Sequence, residues 1–261
     1  MRVRWLGWAG VEVEEQGEHL VVDPLEDVGA VFQWIGDGAA TMPRPDVTAP
    51  RADALAGLVT HLHRDHADAA ALAAALSPEA PVYEPQGCGG SGPEQLGIAQ
   101  ADAELSGAGL DRRPTSPWAS TNIGPFTVTA LPAVDGTGDP QVSWLIEAGG
   151  KRVLHLGDTM FHGWWWRFTE RFGPPGAVLA PINGARVAFP HRRPTSRLPA
   201  VMDPEQAALA AELLGADQVV PIHYDGYALP GVYEPVPDAL DRLRSTNNRV
   251  TTLELGESIE L

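Results

Sequence analysis

The chain has almost no cysteine, almost no lysine and no long apolar run, and each shortage removes a class of chemistry. Cys88 is the only cysteine in 261 residues, which rules out an internal disulfide, a cysteine-rich zinc site and an iron-sulfur cluster. It stands in Gln86-Gly87-Cys88-Gly89-Gly90 with no base beside it, the setting of a plain loop thiol rather than a nucleophile. Lys151, the only lysine, sits in a turn-like Gly149-Gly150-Lys151, which argues against Schiff-base chemistry. Positive charge is scarce: 18 Lys and Arg against 34 Asp and Glu leave a formal net charge of -16. Such a chain repels a polyanion unless its basic residues share one face, so nucleic acid and anionic membrane are poor partners. The one basic cluster, Arg186, His191, Arg192, Arg193 and Arg197, reads mainly as a solvated loop, with binding of an anionic substrate as the lesser alternative. The opening Met1-Arg2-Val3-Arg4-Trp5-Leu6-Gly7-Trp8 is too short and too interrupted for a signal peptide or membrane span, and the expectation is a cytoplasmic protein.

What is present is a chain long enough to bury a real core, in one large domain or two small ones. Short alternating or β-branched runs bounded by Gly, Pro or Asp predict strands at residues 3–6, 11–14, 20–22, 58–60, 126–131, 142–147, 153–156, 218–221 and 250–255. Helical spacing falls at 67–76, at 204–214 with Asp203 as N-cap and Gly215 as stop, and more weakly at 237–245. Strands come first as a meander and then mix with helices, which fits a sheet-rich α/β or α+β architecture. Residues 32–51, 84–119 and 184–199 read as long irregular stretches, the kind that often builds binding walls.

The chemistry concentrates in His61-Leu62-His63-Arg64-Asp65-His66. An apolar strand, Leu58-Val59-Thr60, runs into it, and side chains two apart on a strand point the same way, so His61 and His63 can share one metal ion. Asp65 and His66 follow at the turn into an Ala-rich helix and offer a carboxylate and an imidazole to a second ion. The bland alternative, a polar strand-to-helix loop, leaves clustered imidazoles without a purpose. Two distant segments have the same form. Val153-Leu154-His155-Leu156-Gly157-Asp158-Thr159 places Asp158 beyond a strand and a Gly, and Val219-Val220-Pro221-Ile222-His223-Tyr224 places His223 likewise. Each is weak alone, since an Asp in a turn is usually a turn former.

These segments, with Trp5-Leu6-Gly7-Trp8-Ala9-Gly10, Val22-Asp23-Pro24, Leu131-Pro132-Ala133-Val134 and Met202-Asp203-Pro204-Glu205-Gln206-Ala207, resemble the metallo-β-lactamase superfamily over nearly the whole chain. The likeness is to the branch that includes L-ascorbate-6-phosphate lactonase and related hydrolases. The resemblance implies one domain over residues 1–261, a four-layer αββα sandwich with a metal cleft at one edge of its two sheets. It implies two divalent ions, zinc first, with His61 and His63 on one, Asp65, His66 and His223 on the other, and Asp158 bridging. Where the family usually supplies a third histidine for the first ion, this chain has Asp135. As a ligand, Asp135 would tilt preference toward manganese or iron; the alternative is that it only lies nearby and leaves the first site weakened. Trp8 stands where relatives often carry a histidine that is not a ligand.

Two ions that share a carboxylate can share a water and lower its pKa until hydroxide is available near neutral pH. The expected activity is hydrolysis of a small ester-like molecule, a lactone or a phosphorylated or acidic metabolite, with Asp65 both ligating and relaying a proton. His155 is read as a partner that orients a ligand, or else as a core histidine. His162, in Phe161-His162-Gly163-Trp164-Trp165-Trp166, is read as a substrate contact or acid on an aromatic wall, the alternative being that the Trp run is core or subunit interface. Phosphodiester cleavage suits so acidic a chain badly. Redox chemistry at iron is the third reading; members of the family that this chain resembles which reduce oxygen at a diiron site generally carry a flavin domain, for which the chain has no room. The alternative from a different class is a non-catalytic metal-binding protein, suggested by Asp135. The partner expected is a small molecule, with homo-oligomerisation open.

Overall fold

The computed structural model describes residues 1–261, the side chain of Asp37 excepted. Two large sheets are each built the same way, an antiparallel meander extended by parallel strands. The first has seven strands in the spatial order Ser258–Glu260, Arg2–Gly7, Gly10–Glu15, Glu18–Val22, Gly57–Leu58, Pro81–Pro85 and Asp111–Thr115. Pairing is antiparallel as far as Glu18–Val22 and parallel from there on. The second has six, ordered Gln218–Ile222, Ala177–Pro181, Lys151–His155, Val142–Ala148, Phe126–Pro132 and Ser120–Ile123. Here the last two junctions of the chain, Lys151–His155 with Ala177–Pro181 and Ala177–Pro181 with Gln218–Ile222, are the parallel ones.

The period of two along each strand decides the layering. Val153, Leu179 and Val220 turn into the core between the sheets, together with Val11, Val13, Leu20, Phe126, Trp144 and Ile146. Their chain neighbours Leu154, Val178 and Val219 turn outward, under the helices Trp165–Phe172, Pro204–Leu214 and Ala239–Thr246. On the other side Val21, Val59 and Val82 meet the helices Ala69–Ala75 and Ala99–Gly107. A strand covered on both faces needs a helix layer outside and a sheet inside, and the outcome is the αββα sandwich. Trp144 ties the sheets together, its Nε1 donating to the Val59 carbonyl at 3.1 Å.

Most of the strand readings are met within a residue or two, with three informative differences. Residues 250–255 form no strand: Val250 makes a single bridge with Val219 and the chain then leaves. The central strand Ala177–Pro181 is missing from the sequence reading because a strand buried on both faces shows no alternation. The stretch 84–119, read as irregular, contains the strand Asp111–Thr115 and the helix Ala99–Gly107. The helix at 204–214 is met at both ends. Asp203 accepts from the Gln206 amide at 2.9 Å, Gln206 Oε1 accepts from the Asp203 amide at 3.2 Å, and Gly215 closes it in the left-handed conformation. No helix among the described residues is long and apolar enough to cross a membrane.

Candidate metal centre

Five chain segments leave the carboxyl ends of strands on one edge of the sandwich and bring their polar residues together. His61 to His66 follow Gly57–Leu58, Asp135 follows Phe126–Pro132, Asp158 follows Lys151–His155, His223 follows Gln218–Ile222, and Asp23 follows Glu18–Val22. Two donor groups result. Asp65, His66, Asp158 and His223 offer atoms that all lie within 4.8 Å of one another, and so do His61, His63 and Asp135. The His61 ring centroid is 4.4 Å from that of His63 and 4.1 Å from that of His66, so the two groups adjoin.

The geometry of the inward atoms tests whether cations fit. His61 Nε2, His66 Nε2, His223 Nε2 and Asp158 Oδ1 are buried and make no hydrogen bond. They crowd nonetheless: His223 Nε2 is 2.8 Å from Asp158 Oδ2, and His66 Nε2 is 3.2 Å from Asp158 Oδ1. Buried polar atoms this close without hydrogen-bond alignment point at a shared third partner. The donor set is imidazole and carboxylate, which suits a first-row divalent ion. The group fits.

The electrostatics agree. Burial, and then repulsion from His66 and His63, hold His61 well below the ordinary histidine pKa, so it is a neutral lone-pair donor. Burial would also lower His66, but the charges of Asp158, Asp65 and Asp23 outweigh it and raise the group well above its usual value. For His63, burial is overcome by Asp135 and Asp139, and its pKa rises to about 9. Burial alone would raise Asp158, yet His223 and His66 hold it far below the usual carboxylate range. The negative field that draws protons onto these imidazoles would draw a metal cation as well.

The outward nitrogens are held by residues that carried no assigned role in the sequence reading. Asp23, fully buried, accepts from the Thr60 amide at 2.8 Å, from Thr60 Oγ1 at 2.6 Å and from His66 Nδ1 at 2.8 Å. Thr60 Oγ1, its proton given to Asp23, lies 3.0 Å from His61 Nδ1 and accepts from it. One carboxylate thus sets the tautomers of two imidazoles and turns both Nε2 lone pairs inward. Asn183 Nδ2 lies 2.9 Å from His223 Nδ1. Trp8 Nε1 donates to Asp65 Oδ2 at 2.9 Å, and its ring packs on His223 with centroids 3.9 Å apart. Trp8, Asp23 and His223 all adopt the left-handed backbone conformation, with φ of 47°, 44° and 55°. Strain of roughly 1–3 kcal/mol at such residues collects where a site needs particular geometry. Gly157 serves the same end: at φ 61°, a Cβ there would stand 2.9 Å from the Thr60 side chain, so only glycine lets Asp158 approach.

Asp135 sits beside His61 and His63, and its Oδ2 accepts from the Thr137 amide, Thr137 Oγ1 and the Asp139 amide at 2.8, 2.6 and 3.0 Å. Asp139 was not foreseen. Its Oδ2 lies 3.0 Å from His63 Nε2, and Arg192 Nη2 donates to its Oδ1 at 3.0 Å. Arg192 is therefore folded inward rather than solvated as its basic loop suggested. His155 and His162 stand apart from the donor groups. His155 Nε2 donates to the Ala9 carbonyl at 2.8 Å and its Nδ1 accepts from the Gly157 amide at 3.2 Å. With both nitrogens spent on backbone, it positions loops and has no atom left for a substrate. His162 stacks on Trp165 at 3.8 Å, its Nδ1 accepts from the Trp164 amide, and it does not line the cleft. Trp165 is fully buried core, while Trp164 and Trp166 are exposed, so the Trp run is no wall of this site.

Fold and centre together define a metal-dependent hydrolase of the metallo-β-lactamase type. The chain belongs to the β-lactamase superfamily, whose domain description, Beta-lactamase superfamily domain, matches residues 18–224. It is 26% identical, over the full length of both chains, to a UPF0173 metal-dependent hydrolase of Thermococcus kodakarensis. Among solved structures it resembles the isothiocyanate hydrolase from Delia radicum gut bacteria, with a TM-score of 0.70, 16% identity and coverage of 100% and 99% of the two chains. It also resembles CmlA, a diiron beta-hydroxylase from Streptomyces venezuelae, with a TM-score of 0.71 and 17% identity; this chain is covered fully and spans 54% of the hydroxylase.

Proposed function

We propose that the chain hydrolyses a small ester-like molecule, a lactone in the first instance, at a centre of two divalent metal ions. His61, His63 and Asp135 would hold one ion and Asp65, His66 and His223 the other, with Asp158 shared. The observation that carries this reading is the pair of adjoining donor groups with their buried, unbonded nitrogens. Metal ions bound there would polarise the scissile carbonyl and lower the pKa of water towards neutrality. Zinc suits the imidazoles, and Asp135 in place of a third imidazole adds oxygen character that favours manganese or iron. The lactone is suggested by the sequence likeness to the L-ascorbate-6-phosphate lactonase branch.

The chain's own residues supply positioning and a proton acceptor. Among the described residues, the only hydroxyls on the cleft wall are those of Thr137, which donates to Asp135, and Tyr233, which accepts from Asn183 Nδ2 at 2.8 Å. Thr137 gives its proton to Asp135, the carboxylate assigned in this reading to a metal ion, and Tyr233 is held by the Asn183 amide, so water is the attacking group in this reading. Asp65 Oδ2, fixed by Trp8, lies 3.4 Å from His223 Nε2, the place from which a carboxylate can both ligate and take a proton from that water.

The test is elemental analysis of protein purified without chelator, combined with hydrolysis of γ-butyrolactone by wild type, His61→Ala and Asp135→Ala. Two equivalents per chain, lower in both variants and matched by loss of turnover, are expected. One equivalent untouched by Asp135→Ala would overturn the two-ion centre, and no metal after incubation with zinc, manganese or iron would overturn the hydrolase reading.

A further inference from the structure

The three irregular stretches meet over the metal centre and enclose a cavity of about 160 Å³. Phe32 and Trp34 come from the first, Leu96 from the second, and Val187, Phe189 and His191 from the third. The floor of the same cavity is His63, Asp65, Asp135 and Asp158. The aromatic rings hold one another: Trp34 meets Phe189 edge-on at 5.0 Å and His191 at 5.3 Å. His191 lies parallel to Phe189, 8° off at 5.8 Å, and Phe32 leans on Phe189 at 6.4 Å. Burial and the charge of Arg192 lower the His191 pKa, so the wall is neutral at pH 7. Rings packed in this way form a preformed apolar surface.

Charge on the remaining lining is one-sided. Arg64 is the only Arg or Lys among the described residues that line the cavity, and its guanidinium is taken by Asp68 at 3.1 Å and Glu104 at 2.6 Å. Arg192 is committed to Asp139 and, through Nε, to the Thr137 carbonyl at 2.9 Å. Four aspartates, Asp65, Asp135, Asp139 and Asp158, face the same space. An anionic group away from the metal ions would find no cation and would lose its hydration against aromatic rings. Size is equally restrictive, since an engineered apolar cavity of about 150 Å³ holds benzene.

We propose that this wall is a specificity site that seats a compact neutral apolar group of the substrate, of the size of a phenyl ring or a branched alkyl. It turns away substrates that carry a phosphate or second carboxylate at that position. The inference rests on the hydrolytic reading above for its substrate and sharpens it, because it selects a neutral ester or lactone over a phosphorylated one.

Two measurements on the metal-loaded protein separate the possibilities. The first compares kcat/KM for phenyl acetate and 4-carboxyphenyl acetate, which differ by one carboxylate on the ring; the neutral ester is expected to lead by at least about a hundredfold. The second titrates acetophenone, which cannot be hydrolysed, into wild type, Trp34→Ala and Phe189→Ala by calorimetry. Binding is expected in wild type and roughly tenfold weaker in each variant, with metal content unchanged. Equal kcat/KM for the two esters, preference for the charged one, or acetophenone binding untouched by both variants would overturn the apolar site while leaving hydrolysis intact. Acetophenone bound in wild type and weakened in the variants, with no ester turned over, would overturn the hydrolytic reading and leave the apolar site standing.

Discussion

Asp23 governs two imidazoles at once, His66 directly and His61 through the Thr60 hydroxyl. Asp23→Asn keeps the shape and removes the charge, so one amide must now face donors with only one oxygen. Metal affinity, read by competition with a chelator, is expected to fall by about 10–100-fold, the usual range for losing the partner of a metal-bound histidine. Unchanged affinity would mean that the imidazoles are oriented by packing alone. The sequence marked Asp23 only as part of Val22-Asp23-Pro24, because a carboxylate after a strand is most often a turn former. Its role depends on meeting His66, 43 residues further along. Trp8 was equally opaque: it stood out as a departure from the family pattern, but its hydrogen bond to Asp65, 57 residues away, left no sign in the sequence. The six-residue histidine motif was legible, since its ligands lie within one turn of chain and need no distant partner to be recognised.

At the scale of elements, strand ends make the site and helices cover the sheets. The helix Trp165–Phe172 shows the division, burying Trp165 and Phe168 while Trp164 and Trp166 stay outside. His162, at the entry to that helix, is lowered by burial to about 4. A neutral histidine in the fold and an ordinary one near 6.5 in the unfolded chain means that the unfolded state takes up the proton first. The stability associated with neutral His162 is thus present above about pH 6.5 and is lost as pH falls towards 4. His162→Gln should flatten that part of the thermal-unfolding profile relative to wild type and leave metal content as it was. A variant that loses metal would return His162 to the site. Helix and strand placement was largely legible from period and caps, as Asp203 and Gly215 show. Ala177–Pro181 was not, because alternation vanishes when both faces are buried.

The whole molecule gathers buried carboxylates and imidazoles at one edge under a formal charge of -16. Cations bound only by the fold stabilise it by mass action, about 2.7 kcal/mol per site at a hundredfold excess over Kd. Chelator should therefore lower the unfolding temperature, and added metal should restore it in a concentration-dependent way, an effect that Asp158→Ala should blunt. A melting temperature indifferent to chelator would speak against a metal held by the native state. By itself the sequence determined most of the strand-and-helix pattern and the concentration of ligands in His61 to His66, because periodicity, caps and short spacings are local properties. Only the tertiary structure decided that His155 and His162 stand outside the site, that Asp23, Trp8 and Asp139 support it, and that three loops close an apolar wall above it. These depend on contacts between residues tens of positions apart, which follow from how the two sheets pack and leave no mark in local spacing.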